Sequence, residues 1–277
     1  MNATKLAIPL FVALAYGPAQ GLALPILGSD LASFAVLGAS DVTTANLSTI
    51  GGNLGSSPTS PTSTAANYSF SFGTFQPATV GSAQGQLTTA RGTLAGMSGG
   101  IPIPGSLNAT FLSGVYDAGA GLLGASETLV LDGTGFGNTA VWVFRFSSTL
   151  TTVQGSSFSL INVGDGANVG IYWNVGSSAT LGGDTFAGNV LALESITVDG
   201  NLTMGCGRLL ADTGKVALDG AASTISIGCG TASTTGFGSG GFDQGQTAGP
   251  SGVPEPATLA LLGLGLAGLG FSRRRHG

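Results

Sequence analysis

The sequence is poor in charge and nearly free of histidine. Only 8% of its 277 residues are charged, and its single histidine, His276, is the last residue but one. Without a histidine in the body of the chain, no Ser-His-Asp or Cys-His arrangement can be assembled. Twelve acidic and four basic residues lie between Leu24 and Gly252, a formal charge of −8. Nucleic-acid binding needs a basic stripe, so this balance excludes that class of protein.

Intrinsic disorder is excluded by the apolar content. Disordered chains combine low hydrophobicity with high charge, whereas 43% of this chain is hydrophobic. The chain also has 49 glycines. Low charge with many glycines and β-branched residues is typical of a turn-rich all-β protein.

A repeat of about twenty residues runs from Val141 to Ile227. Its four copies are VFRFSSTLTTVQGSSFSLI from Val143, YWNVGSSATLGGDTFAGNV from Tyr172, LALESITVDGNLTMGCGRL from Leu191 and LADTGKVALDGAASTISI from Leu210. Short strands at such a period are typical of a β-solenoid (β-helix), in which each coil stacks on the last. We expect uninterrupted coils from Glu127 onward, and one or two opening coils in residues 28–57.

One segment of the body, Ser82 to Met97, has helical spacing. Five of its apolar residues fall on one face: Ala83, Leu87, Ala90, Leu94 and Met97. The strands around Val141–Phe146 and Val169–Val175 are apolar on both sides, so they need a cover. We therefore expect the helix to pack against this face of the β-helix.

Small hydroxyl residues occupy outward positions on the other two faces. Stacked strands lie about 4.8 Å apart and outward residues two apart along a strand about 6.6 Å apart, so they would form a grid. One ladder is Ser157, Ser159, Thr185, Ala187, Asn201, Thr203, Thr224 and Ser226. A neighbouring ladder is Thr149, Thr151, Ser178, Thr180, Ser195 and Thr197. Such an array favours binding to a surface, although Thr and Ser are also ordinary residues of exposed strands. We favour the first ladder, since the other face carries Lys215.

Carboxylates are the remaining catalytic candidates. Parallel β-helix lyases and glycosidases use such groups, and five lie in the coils: Asp165, Asp184, Glu194, Asp199 and Asp219. Most of the Asp residues of the coils adjoin a glycine, which is turn chemistry. We predict no catalytic residue, no metal site and no cofactor.

The N-terminus reads as a secretory signal peptide, residues 1–23. Lys5 precedes the apolar stretch LAIPLFVALAY, and Gly21-Leu22-Ala23 is a small-x-small cleavage site. A buried first strand is the alternative interpretation. The mature body would then start near Leu24, and we assign 24–230 to the solenoid domain.

The C-terminus also reads as an export signal. A Gly/Ser/Thr-rich linker, 231–252, precedes a segment of residues 253–277 with three parts: Val253-Pro254-Glu255-Pro256, the apolar run ATLALLGLGLAGLGF, and Arg273-Arg274-Arg275. This order resembles the PEP-CTERM sorting signal of Gram-negative bacteria. The resemblance implies processing by an exosortase-type enzyme, transient membrane anchoring, and a secreted or cell-surface protein. A plain C-terminal anchor is the alternative, and it also exports the body.

The only two cysteines, Cys206 and Cys229, are 23 residues apart, which is about one coil. Stacked coils could bring them within disulfide reach, and an oxidising compartment favours pairing. A disulfide would staple the final two coils at the open end of the solenoid. Two unpaired thiols remain the alternative.

From about Ile26 to Ile227 the chain resembles the microbial ice-binding proteins of the DUF3494 type. The segments that carry the resemblance are LASFAVLGASDVT, IGGNLGSSP, LSGVYD, TLVLDG, VWVFRF, SSTLTTVQGSSFSLIN, IYWNVGSSATLG, FAGNVLALESIT and GRLLADTGKVALDG. The resemblance implies a β-helix of triangular section with one long helix alongside. It implies ice as the ligand of one flat Thr/Ser/Ala/Asn face, and we expect a monomer that inhibits ice growth or recrystallisation. The alternative function is a structural or adhesive protein of the cell surface or exopolysaccharide matrix.

Overall fold

The computed structural model describes residues 26–57, 67–164, 166, 169–220 and 222–227. In these residues short parallel strands recur in a fixed order, so that successive coils stack on one another. The coils present three faces, which we name the helix face, the six-stranded face and the split face. The all-β solenoid predicted from the repeat is confirmed.

The helix face is an eight-stranded parallel sheet. Its strands are, in order of stacking, β4 (Asn53–Ser56), β1 (Phe34–Gly38), β19 (Gly207–Ala211), β16 (Gly188–Ala192), β14 (Gly170–Val175), β11 (Val141–Phe146), β8 (Gly114–Ala118) and β6 (Ile101–Pro102). Every residue of β14, β16 and β19 is buried. Burial on both sides is what the continuous apolar runs predicted.

The six-stranded face consists of three-residue strands that pair without any register shift. In order of stacking they are β2 (Val42–Thr44), β20 (Val216–Leu218), β17 (Ile196–Val198), β15 (Ala179–Leu181), β12 (Leu150–Thr152) and β9 (Gly121–Leu123). The first and third residues of the middle strands point into the core, as expected for Leu150, Leu181, Ile196 and Val198, all 0% exposed.

The split face is divided between two sheets. One holds β18 (Thr203–Met204), β21 (Thr224–Ser226), β3 (Ser48–Gly51) and β5 (Tyr68–Phe72), and the other holds β13 (Ser157–Ile161), β10 (Thr128–Asp132) and β7 (Thr110–Leu112). A single parallel bridge, Thr185 to Thr203, extends the first sheet toward the second. No pairing joins the two sheets within the described residues.

The stacking order of the coils is not the order of the sequence. The coil formed by β1, β2 and β3 lies directly on the coil formed by β19, β20 and β21, with Val36 opposite Leu209, Val42 opposite Val216, and Thr49 opposite Thr224. Residues 28–57 therefore form coils, as predicted, but they cover the C-terminal coil. The expectation that the C-terminal coils form an open end of the solenoid is wrong for this reason.

Helix α2 (Val80–Ala95) carries the chain back along the helix face from β5 to β6. Its sixteen residues span about 24 Å, or about five strand spacings. Of the predicted stripe, Ala83, Leu87, Ala90 and Leu94 are buried against outward residues of the sheet, including Tyr172. The observed helix begins and ends two residues earlier than the predicted range, 82–97. A short helix, α1 (Ser29–Ala32), packs beside α2.

Arg145 on β11 fixes the C-terminal end of α2. Its guanidinium forms two hydrogen bonds with the Asp117 carboxylate, at 2.6 and 2.7 Å, and donates to the carbonyl oxygens of Ala95 and Met97. A cation at this end of a helix satisfies carbonyls that have no partner within the helix.

The core inside the coils is built around stacked aromatic rings. Phe144 stacks on Tyr116 of the coil below and on Trp173 of the coil above, with ring centroids 5.2 and 4.4 Å apart. Phe144 and Trp173 are 0% exposed. These rings fill the interior of the coils that contain β8, β11 and β14.

Coil length varies more than the repeat predicted. Val115, Val143 and Tyr172 are in register at intervals of 28 and 29 residues, whereas Tyr172, Asn189 and Arg208 follow at 17 and 19. The longer coils have extended connections after Asp132 and after Ile161, but the coils stack without a gap on the helix face and the six-stranded face. The predicted alignment of Tyr172 with Leu191 also slips by two residues, because Leu191 pairs with Asn174. A two-residue slip keeps every side chain on its own face.

Candidate functional site

A column of uncharged residues, four of them Thr and one each Ala and Leu, runs along the middle of the six-stranded face. The central residue of each strand points outward, and strand pairing places these residues in one register: Leu122, Thr151, Thr180, Thr197, Ala217 and Thr43. Adjacent members are about 4.8 Å apart. Thr151, Thr180 and Thr197 are half-buried, and their hydroxyls form no hydrogen bond with the described residues. The three hydroxyls are therefore available to water.

A second column lies beside the first, one outward position earlier along each strand. The backbone ladder continues through it, since Leu150 N donates to Ser178 O, Ala179 N to Ser195 O and Ile196 N to Lys215 O. The column contains Thr149, Ser178, Ser195, Lys215 and Asp41. All six residues of the neighbouring ladder predicted from the sequence thus lie together on one continuous face.

Hydrogen bonds to the next coil hold the serines of the second column. The Ser178 hydroxyl donates to Glu194 Oε2 at 3.2 Å, and it accepts from Ser195 N at 3.3 Å. Ser195 Oγ accepts from Lys215 N at 3.3 Å. These hydrogen bonds fix the positions of the Ser178 and Ser195 hydroxyls, which border the central column.

Charge is confined to the edges of the six-stranded face. Lys215 and Glu194 are exposed in or beside the second column, and Asp199 and Asp219 are exposed in the turns that follow the strands. The central column itself holds no charge. Its exposed part ends toward β20, because Ala217 is 1% exposed. The three accessible threonines of the column are thus centred on Thr180, and the exposed Leu122 lies beyond Thr151 at the end of the column.

The ladder that the sequence favoured lies on the split face. Thr203 and Thr224 are paired, and the bridge joins Thr185 to Thr203. Asn201, two residues before Thr203, is exposed, whereas Ala187 is only 6% exposed. Ser226 belongs to the same sheet as Thr224, but Ser157 and Ser159 belong to the other sheet, beside Thr128 and Val130. The eight residues are therefore not joined by one continuous hydrogen-bonded ladder, although Phe158 and Phe186 of the two parts pack against each other with ring centroids 5.8 Å apart.

The N-terminal coil adds residues to both faces that were not predicted from the sequence. Thr43 extends the central column of the six-stranded face, and Thr49 and Ser69 extend the row of Thr203 and Thr224. A signal was present for Thr43. The triplet Val42-Thr43-Thr44 has the same apolar–Thr pattern as Leu150-Thr151-Thr152 and Ile196-Thr197-Val198.

Groups that could support catalysis or metal binding are scarce in the described residues. No cluster of three His, Cys, Asp or Glu that could hold a metal ion occurs there. The Asp132 carboxylate stabilises a turn. It accepts hydrogen bonds from Asn162 Nδ2 at 2.8 Å and from Thr134 N at 2.9 Å, and these bonds lower the pKa of Asp132.

Cys206 is 4% exposed and disulfide-bonded. The one other cysteine of the sequence, Cys229, lies outside the described residues, as do the predicted signal peptide, the linker and the motif Val253-Pro254-Glu255-Pro256.

Among the helices of the described residues, none is long and apolar enough to cross a membrane.

Two family models match the chain. Residues 36–224 match the family described as ice-binding-like. Residues 252–275 match the PEP-CTERM protein-sorting motif. The first match spans the coils of all three faces, and the second covers the C-terminal segment.

Similar proteins agree with the first match. An ice-binding protein of Nostoc sp. (strain HG1) is 36% identical over 266 residues, which is 93% of this chain and 90% of that protein. The crystal structure of an ice-binding protein from an Antarctic biological consortium is 31% identical with a TM-score of 0.64, covering 80% of this chain and 96% of that one. The ice-binding protein from the ascomycete Antarctomyces psychrotrophicus is 30% identical with a TM-score of 0.62, covering 72% and 96%.

Proposed function

We propose that this chain, which belongs to the ice-binding-like family, is an exported protein that adsorbs to ice and restrains its growth or recrystallisation. The observation that carries the proposal is the uncharged column of Thr151, Thr180 and Thr197 on a flat, continuous sheet. Export follows from the sorting motif at the C-terminus. Adsorption involves no catalytic turnover, no cofactor and no bound metal.

The six-stranded face is our candidate for the ice-binding surface. Its strands pair in register over six coils, whereas the split face is interrupted between β13 and the bridge at Thr185. A lattice can be matched only by groups at fixed, regular distances, and the interruption removes that regularity. We therefore favour the six-stranded face over the split face, although Lys215 lies beside its central column.

The chemistry of the central column suits ice better than it suits a soluble ligand. Threonine is stiff at χ1, so its methyl and hydroxyl keep fixed positions on the sheet. The methyls favour ordered water around them, and the hydroxyls anchor that water by hydrogen bonds. The sheet repeats these groups about every 4.8 Å across strands and about every 6.6 Å along a strand. Strongly hydrated ions would disturb such a layer, and the column has none.

Uptake into ice tests the function directly. Purified residues 24–252 should be incorporated into a slowly growing ice hemisphere and should shape single crystals, while albumin in the same solution should be excluded. Exclusion of the protein together with albumin would contradict the proposal. A structural or adhesive matrix protein would instead bind cells or polysaccharide at room temperature, where no ice exists.

Two finer assignments belong to the same proposal. An exosortase-type enzyme would process the segment around Val253–Pro256, and the producing organism would be a Gram-negative bacterium. Mass spectrometry of the protein recovered from its native source would test the first. A mature C-terminus beyond Arg275 would contradict processing at the motif.

A further inference from the structure

Two glycines lie in the connections at opposite edges of the six-stranded face. Gly176 lies between β14 and β15, four residues before Thr180, and Gly200 lies between β17 and β18, three residues after Thr197. Neither glycine has a positive φ, so other residues could adopt the same backbone conformation. The reason for glycine at these two positions is therefore the space around them.

The backbone of the preceding coil occupies the space that a side chain would need. A Cβ atom at Gly200 would lie 2.7 Å from Gly182 O, and a Cβ atom at Gly176 would lie 2.5 Å from Ser147 O. Real Cβ atoms essentially never approach another heavy atom within 3.0 Å, and a main-chain carbonyl cannot rotate away as a flexible side chain can. A larger residue would therefore force the two coils apart, or tilt one against the other, by several tenths of an ångström.

Each of these close approaches sets one step of the central column. The approach at Gly200 joins the coil of Thr197 to the coil of Thr180. The approach at Gly176 joins the coil of Thr180 to the coil of Thr151. The strands of this face are only three residues long, so a displacement in a connection reaches the column within three or four residues. The two glycines thus control the heights of the outer two threonines relative to Thr180.

A third glycine has the same close approach outside the accessible threonines. A Cβ atom at Gly220 would lie 2.1 Å from Gly200 O, which is a harder clash than the one at Gly200 itself. This approach joins the coil of Thr197 to the coil of Ala217, which is 1% exposed and has no hydroxyl. A side chain at Gly220 would therefore disturb the stack without changing the spacing of the three accessible threonines.

We infer that Gly176 and Gly200 are positioning residues of the ice-binding face, which keep Thr151, Thr180 and Thr197 in one plane. The inference rests on the proposed function, because the height of each threonine matters only if the face binds a flat crystal. Its support is the close backbone approach at both glycines, together with their place on either side of the accessible threonines.

Four single alanine variants of the full chain, compared with wild type in the same detergent solution, test the inference. Gly176→Ala and Gly200→Ala change the two positioning residues. Gly220→Ala is the matched control with a backbone clash outside the accessible threonines. Gly119→Ala is the control without a clash, because Gly119 is in register with Gly176 and a Cβ atom there has no neighbour within 4 Å. Thermal melting measures folding, and the concentration that halves the rate of ice recrystallisation measures ice binding.

We expect Gly176→Ala and Gly200→Ala each to raise the half-inhibitory concentration about fourfold, which corresponds to about 0.8 kcal/mol, the hydrogen bond of one threonine. Gly220→Ala should lower the melting temperature at least as much as Gly200→Ala does, but it should keep the half-inhibitory concentration of wild type. Gly119→Ala should change neither quantity.

The failures of the inference and of the proposed function are distinguishable. Wild-type inhibition by folded Gly176→Ala or Gly200→Ala would overturn the inference and leave the proposed function intact. An equal loss of inhibition in Gly220→Ala would also overturn it, because activity would then follow stability alone. Failure of both Gly176→Ala and Gly200→Ala to fold would overturn it too, since glycine would then be required for the fold itself. Absence of inhibition by wild type would overturn the proposed function and this inference with it.

Discussion

Replacing Thr180 with tyrosine is the sharpest test of the ice-binding face. Thr180 is the middle of the accessible column, with Thr151 and Thr197 about 4.8 Å away on either side. A tyrosine ring at this position would stand above the plane of the threonine methyls and hydroxyls. Flush contact with a flat crystal would then be lost at all three threonines.

The size of the effect follows from the contacts removed. Flat contact lets three threonine hydroxyls hold the ordered water layer, and a net contribution of about 0.8 kcal/mol for each hydrogen bond gives about 2.4 kcal/mol. This amount corresponds to a decrease of about fiftyfold in the adsorption constant. The free energy of unfolding should change by less than about 0.5 kcal/mol, because the side chain is outward, forms no hydrogen bond with the described residues, and tyrosine is a favourable strand residue.

The assay compares Thr180→Tyr with the matched variant Thr203→Tyr on the split face. Both proteins are titrated for inhibition of ice recrystallisation, and their folding is checked by thermal melting. We expect the Thr180 variant to lose activity and the Thr203 variant to keep it. The opposite outcome would refute the choice of face while leaving ice binding in place. Full activity of both variants would refute the flat-contact argument.

Three further predictions concern stability. Phe144→Ala should lower the free energy of unfolding by about 3–5 kcal/mol, because it opens a cavity between Tyr116 and Trp173. Urea unfolding measures this change, and the control variant Val153→Ala, at an exposed position, should change the free energy of unfolding by close to zero. Cys206 is disulfide-bonded and we predict Cys229 as its partner, so Cys206→Ser should lower the free energy of unfolding by about 3 kcal/mol; two free thiols in the denatured, unreduced protein would rule the pairing out. Deleting residues 26–57 should prevent cooperative unfolding, since the edge and core of the coil that begins with β19 would be exposed; a sharp melting transition in the truncated chain would contradict the stacking order.

The sequence by itself determined the features that depend on local periodicity. The recurrence of apolar residues in every coil specified a solenoid, and the spacing of Ala83, Leu87, Ala90 and Leu94 specified the helix and its buried stripe. Side-chain direction alternates with a period of two along a strand, so the inward set was also readable. Such patterns are short-range, and they survive a two-residue error in alignment such as the one at Leu191.

Tertiary structure decided which coils are neighbours. Val36 pairs with Leu209, and nothing in local periodicity selects that partner over any other exposed coil edge. The return of the chain through α2 makes the arrangement possible, because it frees the N-terminal coil to cover the C-terminal one. Thr43 joined the central column only through this pairing. The continuous pairing of the six-stranded face and the missing pairing between the two sheets of the split face depend on which coils become neighbours. Only the folded chain therefore shows which row of threonines lies on an uninterrupted sheet.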